Sequence, residues 1–224
     1  MAEPQPSPAG LLEGRALSCR RGRRLLFEGL DIRLEAGTII WLRGTNGSGK
    51  TSLMRILAGL SAPAAGEVLW NGRALREAGA GVRRGVVYIS HANALKDDLT
   101  LLESLTYLAR LAELPEAEAL ALRALERVGL TGQRKLAVRL LSQGQRRRGA
   151  LARLALDEAP RTWILDEPYD ALDSDSIAAL SALIEAQAAR GGAVLLTSHQ
   201  PVALAGLREH ALRAPAVPAR RADS

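Results

Sequence analysis

Cysteine is nearly absent. Cys19 stands alone among 224 residues, so no internal disulfide can form, which fits a reducing compartment. No C-x-x-C-H occurs, so the chain attaches no haem to itself. Aromatic residues make up 3%, too few for a base-stacking platform. No nucleic-acid motif accompanies the basic charge, so nucleic acid is not an expected partner. Long apolar runs are also missing. The longest, around Ile39–Leu42 and Val194–Leu196, have strand length and fall far short of the roughly 18–20 residues that cross a bilayer. The first ten residues contain an acid and several prolines but no basic stretch, and do not read as a secretory signal. Lysine occurs only at 50, 96 and 135, so the formal charge of +6 is carried by arginine.

What is present is a globular chain. Its apolar share is 47%, and its length suits one sizeable core with a small satellite. Arginines cluster at 20, 21, 23 and 24, at 146–148 and at 220–221. They read as a solvated face, or as contacts to anionic lipid or a partner's acidic loop. Residues 1–10 and the C-terminal segment 208–224 read as tails, Pro/Ala-rich at the extreme ends. Between them lies one domain, 11–207.

Short β-like runs occupy Leu11 to Arg43. The run Thr38–Arg43 leads into a Gly-rich loop and then a helix, on which Leu53, Met54, Ile56, Leu57 and Leu60 share one face. Strands follow at Gly66–Trp70 and Gly85–Ser90. Residues from about 95 to 155 are rich in Leu, Ala, Glu and Arg at helical spacing, with Pro115 at a helix boundary. They read as a helical subdomain inserted into an α/β core. The strand–helix rhythm then resumes with Thr162–Leu165, a helix from Ser174 to Arg190, and Ala193–Thr197. Such alternation predicts a mostly parallel sheet with ligands at the carboxyl ends of its strands.

Gly44-Thr45-Asn46-Gly47-Ser48-Gly49-Lys50-Thr51 matches G-x-x-x-x-G-K-[ST]. Its glycines let backbone N–H groups close around phosphate oxygens. Lys50 supplies a cation to the β/γ-phosphates of ATP, and Thr51 offers a hydroxyl to Mg²⁺. Thr162-Trp-Ile-Leu-Asp-Glu167 is an apolar strand ending in two acids. Asp166 is placed for Mg²⁺ and Glu167 for the attacking water. Catalysis of this kind is mostly positioning and charge neutralisation.

Leu141-Ser142-Gln143-Gly144-Gln145 reads by itself as a polar turn with Ser142 as a helix N-cap. Its place a helix-length before the Asp-Glu strand makes it resemble the signature L-S-x-G-Q of ABC-type ATPases. That resemblance, from about Leu11 to Leu207, implies a P-loop ABC fold: a core sheet, a small antiparallel β part and the helical insertion. It implies a homodimer in which Ser142, Gly144 and Gln145 reach the ATP held by the opposite subunit. Ala171-Leu172-Asp173 resembles the D-loop joining the subunits, and His199 the switch histidine that contacts the γ-phosphate. His210 has no such context.

Within the superfamily, Gly66–Gly72, Trp163–Asp173 and Thr197–Pro201 are similar to the CcmA family, the ATP-binding export proteins of cytochrome c biogenesis. This likeness implies a peripheral subunit on the cytoplasmic face of the bacterial inner membrane, partnered by an integral permease of the CcmB type. Haem is the traditional substrate there, a link that rests on likeness alone. The chain ends soon after His199 and is expected to lack the regulatory domain that many importer ATPases carry. The ATPase of another ABC exporter would carry the same motifs. A soluble nucleotide-gated clamp is disfavoured by the lack of coiled-coil insertions, and a P-loop kinase by Leu141–Gln145.

Two family features are missing. A glutamine is expected after the strand Val86–Ser90, where Ala92 stands; either His91 or Asn93 replaces it, or the metal keeps an extra water. The aromatic that stacks on adenine is also absent, and Arg21 occupies that place with a guanidinium plane.

Overall fold

The computed structural model describes residues 10–77 and 85–213. Of the sequence-read tails 1–10 and 208–224, residues 1–9 and 214–224, with Arg220 and Arg221, lie outside them. Two sheets share the core. The first is antiparallel, ordered β2-β1-β4-β5, from β1 (Leu12–Arg21), β2 (Arg24–Leu34), β4 (Ala65–Trp70) and β5 (Arg73–Ala74). The second is ordered β6-β7-β8-β3-β9, from β3 (Ile39–Arg43), β6 (Val86–Ile89), β7 (Thr162–Leu165), β8 (Ala193–Leu196) and β9 (Leu207–Ala211). All its pairings are parallel. Strands β7 and β8 are buried at every position, which explains their continuous apolar sequences: both faces of a parallel sheet are covered.

Helix α1 (Lys50–Leu57) buries Leu53, Met54, Ile56 and Leu57. The apolar face predicted to include Leu60 stops short of it. Ala58 caps the helix, Gly59 takes a φ of 72°, and Leu60 is 54% exposed. A left-handed glycine just past the last turn ends a helix regardless of the apolar spacing beyond it.

The helical insertion holds α2 (Leu101–Leu111), α3 (Ala117–Arg127) and α4 (Gln143–Leu151). Thr100 and Glu103 close a capping box at the start of α2, and Pro115 falls between α2 and α3. Leu101, Leu105, Ala121, Leu125, Leu141 and Ala152 belong to its own apolar cluster. Helix α5 (Ser174–Ala189) ties insertion to core, since Leu183 packs against this cluster and against the one around β7 and β8.

The domain boundary read at Leu207 requires correction. Residues 207–211 form an edge strand of the main sheet, pairing in parallel with β3 from Ile39–Leu207 to Arg43–Ala211. Its sequence, Leu-Arg-Glu-His-Ala, is mostly exposed. An edge strand can carry charges along one side, so apolar patterning did not reveal it.

Candidate nucleotide site

The loop from Gly44 to Gly49 joins the carboxyl end of β3 to α1. Gly49 has a φ of 104°, and a Cβ there would lie 3.1 Å from Leu26 Cβ and Phe27 Cδ1. Only glycine suits both the left-handed backbone and this approach. The same packing sets the β1–β2 hairpin beside the loop. Gly49 offers no side-chain cap to α1, leaving the first N–H groups of the helix unmet by the chain's own side chains. Lys50 Nζ donates to the carbonyl of Gly44 at 2.8 Å and to that of Thr45 at 3.5 Å. Ser48 Oγ is buried without a hydrogen-bond partner. Thr51 lies exposed in the first turn of α1. A surplus of donors at a helix N-terminus suits a polyphosphate.

Asp166 and Glu167 leave the carboxyl end of β7, next to β8. Thr197, just past β8, holds both: its hydroxyl donates to Asp166 Oδ1 at 2.9 Å and accepts from the Glu167 N–H at 2.8 Å. Glu167 sits at a φ of 49° and is 8% exposed. Its Oε2 is buried without a partner, and its Oε1 lies 3.5 Å from His199 Nε2. Burial pushes the Glu167 carboxyl above its ordinary range; His199 opposes the rise, Asp170 and Asp166 add to it, and Lys50 opposes it. Lys50, Asp166 and His199 therefore all lie near enough to act on the Glu167 carboxyl.

Among the described residues no group of His, Cys, Asp or Glu could cage a metal alone. One hydroxyl and one carboxylate completed by phosphate oxygens suits Mg²⁺, which dehydrates reluctantly and is bound in that manner. Thr51 and Asp166 fit that donor set.

The signature segment lies elsewhere. Ser142 caps α4, accepting from the Gln145 N–H at 3.2 Å, while Gln145 Oε1 accepts from the Ser142 N–H at 3.0 Å. A Cβ on Gly144 would lie 3.2 Å from the carbonyl of Ala171, so this turn packs against its own chain's D-loop-like segment. None of the described hydrogen bonds joins Ser142, Gly144 or Gln145 to Gly44–Thr51. Asp173 caps α5 through the Ser176 N–H at 2.9 Å. Arg21 is exposed at the hairpin tip, opposite Arg24, and none of the described hydrogen bonds, ion pairs or ring contacts involves it.

Around the missing glutamine, Ala92 contributes only its carbonyl, which accepts from Ser90 Oγ at 2.6 Å. His91 Nδ1 lies 3.4 Å from Asp170 Oδ2, and Asn93 Oδ1 accepts from Arg147 at 3.2 Å.

Arg146–Arg148 is not a solvated face. Arg146 donates to the carbonyls of Val138 and Arg139 at 3.2 and 3.3 Å, and Arg148 to that of Val128 at 3.4 Å. Arg147 is 3% exposed. Helical spacing could have found it, since Arg147, Ala150, Leu151 and Leu154 fall on one buried stripe.

Comparison with known proteins agrees with this geometry. The family model described as ABC transporter matches residues 27–170. The cytochrome c biogenesis ATP-binding export protein CcmA of Dechloromonas aromatica is 47% identical over 192 residues, covering 86% of this chain and 94% of that protein. Its namesake in Pseudomonas aeruginosa is 46% identical over 194 residues, with 87% and 95% covered. A solved ATP-binding subunit of an ABC transporter superposes with a TM-score of 0.77 at 30% identity, over 84% of this chain and 79% of that one.

Proposed function

The chain belongs to the ABC transporter family, within the group of cytochrome c biogenesis ATP-binding export proteins, and from that premise we propose that it hydrolyses ATP as a dimer to drive an integral membrane partner. The observation carrying this reading is Glu167, a buried carboxylate with one unpartnered oxygen and the other beside His199, next to an uncapped helix N-terminus.

ATP places its β- and γ-phosphates on the N–H groups of Gly44–Thr51, and Lys50 turns from the carbonyl of Gly44 to those phosphates. Thr51 and Asp166 would hold Mg²⁺, which would neutralise charge on the phosphates when bound. Glu167 accepts a hydrogen bond from water, aims it in line with the γ-phosphorus, and takes its proton as the bond to the ADP oxygen breaks. The products are ADP and phosphate. Thr197 keeps Asp166 and Glu167 in register, and His199 donates to the γ-phosphate oxygens. Arg21 lies at the hairpin that borders the loop and offers its plane to adenine.

None of the described hydrogen bonds joins Ser142, Gly144 or Gln145 to the chain's own loop, which is consistent with a role in trans on the partner's nucleotide. Identity of 47% over 86% of the chain supports the cytochrome-maturation branch over other exporters. It also supports a permease partner of the CcmB type and a peripheral site on the cytoplasmic face of the inner membrane. No helix among the described residues is long and apolar enough to cross a membrane. Detergent extraction with a tag on this chain tests the reading. It predicts co-purification of an integral membrane protein and ATP turnover that Glu167→Gln abolishes while ATP binding persists. Full turnover in Glu167→Gln would remove the carboxylate from the mechanism.

A further inference from the structure

Arg147 is the buried cation that the chemistry above does not use. Burial pulls its guanidinium below its ordinary value, while Asp170, Asp166 and Glu167 hold it up. Its two terminal nitrogens serve different segments. Nη2 donates to the carbonyl of Asp166 at 3.2 Å and to that of Glu167 at 2.6 Å. Nη1 donates to the carbonyl of Ser90 at 3.0 Å, to that of His91 at 3.5 Å and to Asn93 Oδ1 at 3.2 Å. From the middle of α4, one planar fork thus spans the end of β7 and the loop after β6.

Packing alone does not account for a cation here. A hydrophobic side chain would fill the space without the desolvation that a buried charge incurs. What the guanidinium adds is a rigid link between two segments. One of them includes Glu167, whose left-handed φ of 49° is unfavourable for a glutamate and persists only where its surroundings enforce it. Arg147 grips the carbonyl of that same residue. The other segment, 90–93, is exposed at His91 and Ala92, open to contact from outside.

We propose that Arg147 is a positioning residue that makes the aim of the Glu167 carboxylate depend on the conformation of loop 90–93. The inference rests on Glu167 acting on the attacking water, as proposed above.

The full chain is assayed for kcat, KM for ATP and thermal stability. Arg147→Lys keeps a charge but cannot fork to both segments. Its kcat should fall about tenfold to a hundredfold, the scale of a 1 Å misplacement of a catalytic group, with KM unchanged. Asn93→Ala removes one acceptor and should lower kcat about twofold to tenfold, an effect that disappears in the Arg147→Lys background. An unchanged kcat in Arg147→Lys overturns the proposal. So do strictly additive losses, or equal losses of turnover and ATP affinity. If Arg147→Lys does not fold, Asn93→Ala alone decides, and an unchanged kcat there is fatal. A parent chain without turnover sinks this proposal together with the functional reading, whereas a parent with turnover and an insensitive Arg147→Lys sinks this proposal alone.

Discussion

Helices α1 and α4 each begin beside a glycine, Gly49 just before α1 and Gly144 in the first turn of α4, and their N-termini are finished in opposite ways. At α1 the cap is left-handed Gly49, which supplies no side-chain acceptor. At α4, Ser142 and Gln145 form a reciprocal capping box. An uncapped N-terminus keeps its donors for an anion, while a capped one is satisfied without a ligand. In the function proposed above, the first serves as the binding site within a single chain, while the second, stable by itself, meets phosphate only when another chain presents one. The difference lies in the choice of glycine or serine at one position, and it divides binding from assembly.

The largest break in this comparison comes at the open end. Lys50→Ala removes the only side-chain cation of the loop and should lower turnover by about a hundredfold to a thousandfold, with weaker ATP binding by a single chain. Titration with a fluorescent ATP analogue and a phosphate-release assay check both, and unaltered binding would show that the N–H groups of α1 suffice.

Arg21 sits at the hairpin beside the open end. If its plane stacks on adenine, a contact of about 0.5–2 kcal/mol is at stake, so Arg21→Ala weakens ATP by about twofold to thirtyfold. Arg21→Tyr should restore affinity, and inorganic triphosphate should bind the parent and Arg21→Ala equally. Equal weakening of ATP and triphosphate would assign Arg21 to general charge attraction.

At the capped end, Ser142→Ala should cost about 0.5–2 kcal/mol of stability through the lost cap. It should leave the affinity of a single chain for ATP untouched while weakening ATP-dependent association. Loss of affinity in the isolated chain would erase the distinction between the two helices.

Helix α5 offers a smaller test, because its cap is ionisable. The hydrogen bonds from Ser176 hold the Asp173 carboxyl below its ordinary value of 3.8. A lowered folded value means that the stability it contributes is present above the ordinary value and lost as pH falls through the lowered one. The gap in Tm between the parent and Asp173→Ala should therefore be widest near neutrality and narrow on acidification. A gap independent of pH would mean that the charge contributes nothing beyond the hydrogen bond.

Much of this site was legible because its parts are contiguous. Gly44–Thr51 and Asp166–Glu167 are short runs at strand ends, where local sequence dictates local geometry. The parallel order of the sheet followed from alternating elements, and Ser142 as a cap from its place before a helix. Three features escaped because they depend on partners distant in sequence. Arg147 stands among other arginines, and its burial reflects carbonyls up to 57 positions away. Strand β9 is polar because it lies at an edge, and its pairing with β3 joins residues 168 positions apart. Thr197 enters the sequence reading as a strand end and within the Thr197–Pro201 likeness, but its tie to Asp166 escapes it because the hydroxyl crosses to the neighbouring strand.

The division between an open end that binds and a capped end that assembles is tested most directly by the mass of Glu167→Gln in solution. Light scattering or sedimentation would follow the variant with and without Mg-ATP, alone and combined with Ser142→Ala. The account predicts ATP-bound dimers of Glu167→Gln, monomers without nucleotide, and fewer dimers at the same ATP occupancy once Ser142 is lost. A Glu167→Gln chain that saturates with ATP and remains monomeric at every concentration would contradict it.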